Sequence, residues 1–189
     1  MGEIAERYRR RAEAFERKVA GVHSDQWDNQ SPCAKWTAKG VLDHVLVMHG
    51  IMLVPVARKL EPADDPLTAF QEARAAVEDV LDDPVLALTE ADTPAGPMTA
   101  ERHIDAVVSD DLVVHGWDLA RATGQDEMME AVDVEQLWAA AVKIPPDLME
   151  KYRTPGAFGP GIEVYGPEVR VPTDAPLQDR LLGLLGREP

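Results

Sequence analysis

The chain has 189 residues, enough for one domain of ordinary size and for a core that needs no covalent staples. It carries 34 acidic against 19 basic residues, a net charge of −15, and such a field repels nucleic-acid backbones and anionic membrane surfaces. The single cysteine, Cys33, excludes an intramolecular disulfide and fits a reducing compartment. The charged start MGEIAERYRRRAEAFERK has no apolar segment of the signal-peptide kind, and no apolar run approaches the roughly 18 residues of a membrane span. The expectation is a cytoplasmic protein with no nucleic-acid and no membrane partner.

Helical periodicity dominates. Ile4, Tyr8, Ala12, Phe15 and Val19 recur at spacings of three and four and predict a first helix from about Glu3 to Val22. Arg9, Arg10 and Arg11 read as its solvated face. A loop then runs through Trp27 to Ser31-Pro32-Cys33. Thr37 fits the N-cap of a second helix with the stripe Val41, Val45, Met48, Met52 and Val56, and Pro55 kinks or ends it. The turn-rich segment 61–66 leads to a third helix from about Leu67 to Leu81. Thr93-Pro94-Ala95-Gly96-Pro97 reads as a loop. A fourth helix spans about Thr99 to Thr123 and stops at Gly124. A fifth covers about Asp133 to Ile144, with Pro145-Pro146 interrupting it and a further turn reaching Tyr152. Ile162, Val164, Val169 and Val171 alternate around Tyr165-Gly166-Pro167-Glu168, which predicts a small β-hairpin. Pro176 opens a final helix, Leu177 to Leu185. The predicted fold is all-α, a four-helix bundle with an additional helix, a short C-terminal hairpin and a final helix. The bundle takes residues 1–155, and residues 156–189 form a C-terminal extension.

At about 100° per residue, Ile104, Val108, Asp111, His115, Asp118 and Ala122 fall in one narrow arc of the fourth helix. Three polar groups are thus aimed at an apolar interior, where they cost several kcal/mol unless paired or bound to a metal (on the order of 2–7 for a neutral group). Asp111 and His115, four apart, lie one above the other and can share a metal ion. Asp118 can accept a hydrogen bond from His115 and orient it. The rival explanation is a buried His–Asp hydrogen bond. A third ligand must come from another helix. The second helix offers His44 and His49, on opposite sides of its stripe, and periodicity does not choose between them. His103 is two turns before Asp111, and His23 lies in a loop. Cys33 reads as structural, with a ligand or nucleophile role as the alternative. Trp36 and Met48 are candidates for a pocket wall.

Ser31-Pro32-Cys33-Ala34-Lys35-Trp36-Thr37 followed by Val41-Leu42-Asp43-His44-Val45 resembles the opening signature of the DinB-like superfamily. More narrowly, it resembles the metal-binding N-terminal domain of the mycothiol-dependent maleylpyruvate isomerases. Asp111-Leu112-Val113-Val114-His115-Gly116-Trp117-Asp118, continuing to Gly124, is similar to the second signature of an actinobacterial branch, as is the ending from Val171 to Arg187. The resemblance implies a four-helix bundle with a divalent metal held by His44, Asp111 and His115, and so favours His44 over His49. It differs from the characterised isomerases in two places: they carry Glu where this chain has Asp111, and a larger C-terminal domain.

Two imidazoles and one carboxylate leave coordination positions open, as in catalytic rather than structural sites. The expected function is a metal-dependent thiol S-transferase or isomerase using a low-molecular-weight thiol such as mycothiol and an electrophilic substrate. The alternatives are a non-catalytic metal-binding module or sensor and a metal-dependent hydrolase. Zinc leads, with nickel and iron(II) also compatible. Exposed apolar helix faces are compatible with a homodimer, though the sequence identifies no interface.

Overall fold

The computed structural model describes residues 2–93, 96–157 and 164–189. Among these residues the fold is mostly helical, with one two-stranded antiparallel hairpin. The chain divides into two compact units, Met1–Glu127 and Met128–Pro189.

In the first unit, α1 (Glu3–Ala20) buries Tyr8, Ala12, Phe15 and Val19, the stripe expected from their spacing. Glu3 and Glu6 in its first turn and Arg17 and Lys18 in its last complement the helix dipole. Thr37 caps α2 (Ala38–Leu53), its side chain accepting from the Gly40 amide. Pro55 ends that helix in a short 3₁₀ turn, Val54–Val56, as its missing N–H requires. The third helix, α3 (Pro66–Asp82), is capped by Asp65 with Pro66 at its first position. A one-turn helix, α4 (Pro84–Ala87), leads into the hairpin β1 (Glu90–Thr93) and β2 (Gly96–Thr99), in which Glu90 pairs with Thr99 and Thr93 with Gly96. The sequence predicts only a loop here. Each strand is only four residues long with one β-branched residue, too short a pattern to stand out, and the pairing is local: the Thr93 hydroxyl donates to the Gly96 carbonyl at 2.7 Å, and Gly96 takes φ +101°, which suits glycine.

The fourth helical segment is one rod with a fault in it. It comprises α5 (Ala100–Ile104), a π turn (Asp105–Ser109) and α6 (Asp110–Thr123), closed by Gly124 in the left-handed conformation. Both α1 and α2 pack against α3 and against α6. Phe70 on α3 reaches into the core, with its ring 4.9 Å from Phe15 and 5.6 Å from His49. Arg11 is not part of a solvated face. It is 2 % exposed and donates to the Ser109 hydroxyl (3.0 Å) and the Asp110 carboxylate (2.7 Å).

The stretch Ala38–Val56 corrects one expectation: at mean hydropathy 1.4 it is long and apolar enough to cross a membrane by length and composition. One face of α2 supplies Val41, Leu42, Val45, Met52 and Leu53 to the core, while Val47, Ile51 and Val54 stand exposed.

In the second unit, α7 (Ala131–Ala141), α8 (Pro146–Tyr152) and α9 (Leu177–Leu184) follow. Helix α7 packs on α9, and Val134, Leu137, Leu181 and Leu182 are buried. The predicted C-terminal hairpin does not form: residues 164–172 contain no strand, and Ile162 lies outside the described residues. The Val169 amide finds its acceptor on a helix instead, at the Gly183 carbonyl (2.9 Å). Gly183 permits this approach, because a Cβ there would lie 2.6 Å from the Val169 oxygen.

Candidate metal centre

The contact of α2 with α6 gathers three of the residues singled out by the sequence. His44 Nε2 lies 3.5 Å from Asp111 Oδ2, and the His44 and His115 rings meet edge to face at 4.9 Å. One donor atom from each of His44, Asp111 and His115 lies within 4.8 Å of the other two. His44 and Asp111 are partly exposed, whereas His115 is buried.

Helix geometry places the pair on α6, and the π turn sets its angle. A regular helix through Ile104 and Val108 would carry Asp111 straight into the core. The wider turn at 105–109 rotates the residues beyond it, so that Leu112 and Leu119 take the core positions and Asp111 lies at their half-buried edge. Two arginines of α1 hold that turn at both ends. Arg7 pairs with Asp105 through both guanidinium and carboxylate edges (2.8 and 2.7 Å), and Arg11 holds Ser109 and Asp110. Partial burial raises the Asp110 carboxyl to about 6 despite the opposing pull of Arg11.

His115 Nδ1 lies 2.9 Å from Oδ2 of Asp118, a fully buried carboxylate. That contact leaves Nε2 as the ring nitrogen that Asp118 does not engage. Trp36 stacks on His44 (4.5 Å between ring centres, 28° between planes) and tilts against His115 at 5.6 Å. Gly40 makes room for it, since a Cβ there would come within 3.1 Å of the Trp36 side chain. Met48, the other pocket-wall candidate, is half-buried and packs against the hydrophobic core.

His49 serves a different purpose. It is fully buried, with Nδ1 2.7 Å from the Val45 carbonyl and Nε2 3.0 Å from the Tyr8 hydroxyl. The neutral ring with its proton on Nδ1 satisfies both partners, donating to the carbonyl and accepting from the hydroxyl. Burial pulls its pKa down to about 4. His103 is half-buried and His23 exposed.

Cys33, which the sequence reads as structural with a ligand or nucleophile role as the alternative, lies beside the site. The Cys33 thiol donates to Asp118 Oδ2 at 3.4 Å, and donor atoms of Cys33, His115 and Asp118 also lie within 4.8 Å of one another. No spacing rule links a loop cysteine to a helix 85 residues away.

Residues 8–99 match the family described as the mycothiol maleylpyruvate isomerase N-terminal domain. His44 and Trp36 fall inside the matched segment; Asp111 and His115 lie beyond it. Uncharacterized proteins from two strains of Mycobacterium tuberculosis are 28% identical over 184 residues, covering 95% of this chain and 95% of each relative. No solved structure gives a significant match.

Proposed function

We propose, with residues 8–99 belonging to the mycothiol maleylpyruvate isomerase N-terminal domain family, that this protein binds a divalent metal through His44, Asp111 and His115 and uses it to activate a low-molecular-weight thiol. The reaction class we assign is S-transfer to, or isomerisation of, an electrophilic substrate, with mycothiol as the thiol. The observation that carries this reading is the convergence of two imidazoles and one carboxylate, from two helices, to within 4.8 Å.

The donor set fits such a metal. Ligands around zinc at about 2.1 Å stand roughly 3–4 Å apart, so small side-chain rotations would complete the set. Two nitrogens and one oxygen suit zinc, and also nickel or iron(II), and leave room for an exogenous ligand. When bound, the cation supplies the positive charge that lowers the pKa of a thiol to neutral pH or below.

The protein's own groups prepare the site. Asp118 accepts the Nδ1 proton of His115 and thereby presents Nε2 as a lone-pair donor. Trp36 fixes the plane of His44 by stacking and offers an apolar wall beside it. The partly exposed edge at His44 and Asp111 is the side from which a thiol would enter. We read α1, α2, α3 and the α5–α6 rod as the four helices of a DinB-like bundle, supported by the packing of α1 and α2 on both α3 and α6. The single cysteine, Cys33, and a thiol substrate fit a reducing, cytoplasmic setting.

The test is direct. Metal-loaded protein should consume mycothiol with a model electrophile (S-transfer), or isomerise an electrophilic substrate only when mycothiol is present, returning the thiol; metal-free protein should do neither. Metal binding with neither thiol consumption nor thiol-dependent isomerisation would instead support a non-catalytic metal-binding module.

A further inference from the structure

We propose that Cys33, His115 and Asp118 form a second cation site, suited to a soft divalent metal, that shares the His115 imidazole with the His44–Asp111–His115 group.

Three observations carry it. Donor atoms of the three residues already lie within 4.8 Å of one another, with Asp118 Oδ2 2.9 Å from His115 Nδ1 and 3.4 Å from Cys33 Sγ. His115 and Asp118 are buried, and Asp118 is fully so; a carboxylate there demands compensation, which a cation bound beside it would supply. The thiol is also held in place by its backbone. The Cys33 carbonyl accepts from the Trp36 amide (2.8 Å), the Gln30 side chain (3.1 Å) and the Ser31 hydroxyl (3.2 Å). A bridge from Gln30 to Thr37, the α2 N-cap residue, closes the same loop. This loop geometry fixes the cysteine against α6.

The chemistry of the set differs from that of its neighbour. A thiolate, an imidazole and a carboxylate favour zinc or cadmium over magnesium or calcium, because the sulfur is a soft donor. Binding would release the Cys33 thiol proton to solvent and shift the His115 ring proton from Nδ1 to Nε2, with no change of oxidation state. Neither His44 nor Asp111 is needed, so the two sites can be separated by substitution.

Cadmium titration of the reduced full-length chain tests this through the thiolate-to-cadmium charge-transfer band in the ultraviolet. The band should appear in the native chain and in Asp111→Ala. It should be absent from Cys33→Ser, and Asp118→Asn should need at least tenfold more cadmium to reach it. Cadmium should also slow alkylation of Cys33 in the native chain at least tenfold, a readout that needs no variant to fold. A native chain with no band and unprotected Cys33 would overturn the site. So would loss of the band in a folded Asp111→Ala protein, which would assign the thiol to the first group. Failure of thiol consumption by the metal-loaded enzyme touches only the proposed function.

Discussion

His115 and Asp118 sit one turn apart on α6, with Nδ1 and Oδ2 2.9 Å from each other, and Asp118 has no exposed surface. A buried carboxylate in that position holds one tautomer of the ring and one orientation of it. The nitrogen it leaves over is Nε2, on the ring that meets His44 edge to face. Replacing Asp118 by Asn keeps the shape and loses the charge-assisted acceptor. We expect Asp118→Asn to weaken metal binding about ten- to a hundredfold. Competition with a chromophoric chelator measures this, and unchanged affinity would show that Asp118 does not orient the ligand.

Arg11 is the second buried polar anchor. Its guanidinium is almost wholly enclosed and bonds Ser109 and Asp110, immediately before Asp111. Arg11→Ala removes these bonds and the packing of the stem, and leaves the carboxylate of Asp110 without this partner. Asp110 keeps 39% of its side chain exposed, so water limits the loss. The expected cost is about 2 kcal/mol, read as a lower urea midpoint at unchanged slope. Arg11→Met, which keeps the stem, should lose less.

His49 predicts a pH dependence. Its folded-state pKa, about 4, lies below its ordinary 6.5, so the unfolded chain binds this proton more readily. The stabilising contribution is fully present above pH 6.5 and is lost as the pH falls from 6.5 toward 4, by about 3 kcal/mol in total. Urea unfolding of chelator-treated protein across that range should show the loss. In His49→Leu this part of the slope should vanish, and an unchanged slope would assign it to other groups.

The helices were legible because each buries a stripe with a period near 3.6, and because Thr37, Pro55 and Gly124 punctuate them by local chemistry. What escaped depends on contacts that no local pattern encodes. The π turn is invisible to a wheel drawn at a fixed angle, so Asp111 was placed in the interior rather than at its edge. Val164, Val169 and Val171 alternate as a strand would, but the Val169 amide is satisfied by the Gly183 carbonyl rather than by a partner strand. Arg11 resembles Arg9 and Arg10 in sequence, and its burial follows contacts such as those with Ser109 and Asp110 that no local pattern encodes. His44 and His49 were tied on the wheel because they occupy opposite flanks of α2. The structure separates them by what covers each flank. His49 meets Tyr8 of α1 and Phe70 of α3, and His44 meets Asp111 and His115 of α6.

The central claim is that His44, Asp111 and His115 together hold one divalent metal. It is tested most directly by elemental analysis of protein made without a histidine tag and dialysed against a limiting concentration of zinc, in a Cys33→Ser background that removes the thiolate site, with Asp111→Ala and His44→Ala each added to it. One metal per Cys33→Ser chain is predicted, with occupancy falling at least tenfold in both double variants while their circular dichroism stays native. Full occupancy retained in both folded double variants, or no metal in the Cys33→Ser chain, would contradict it.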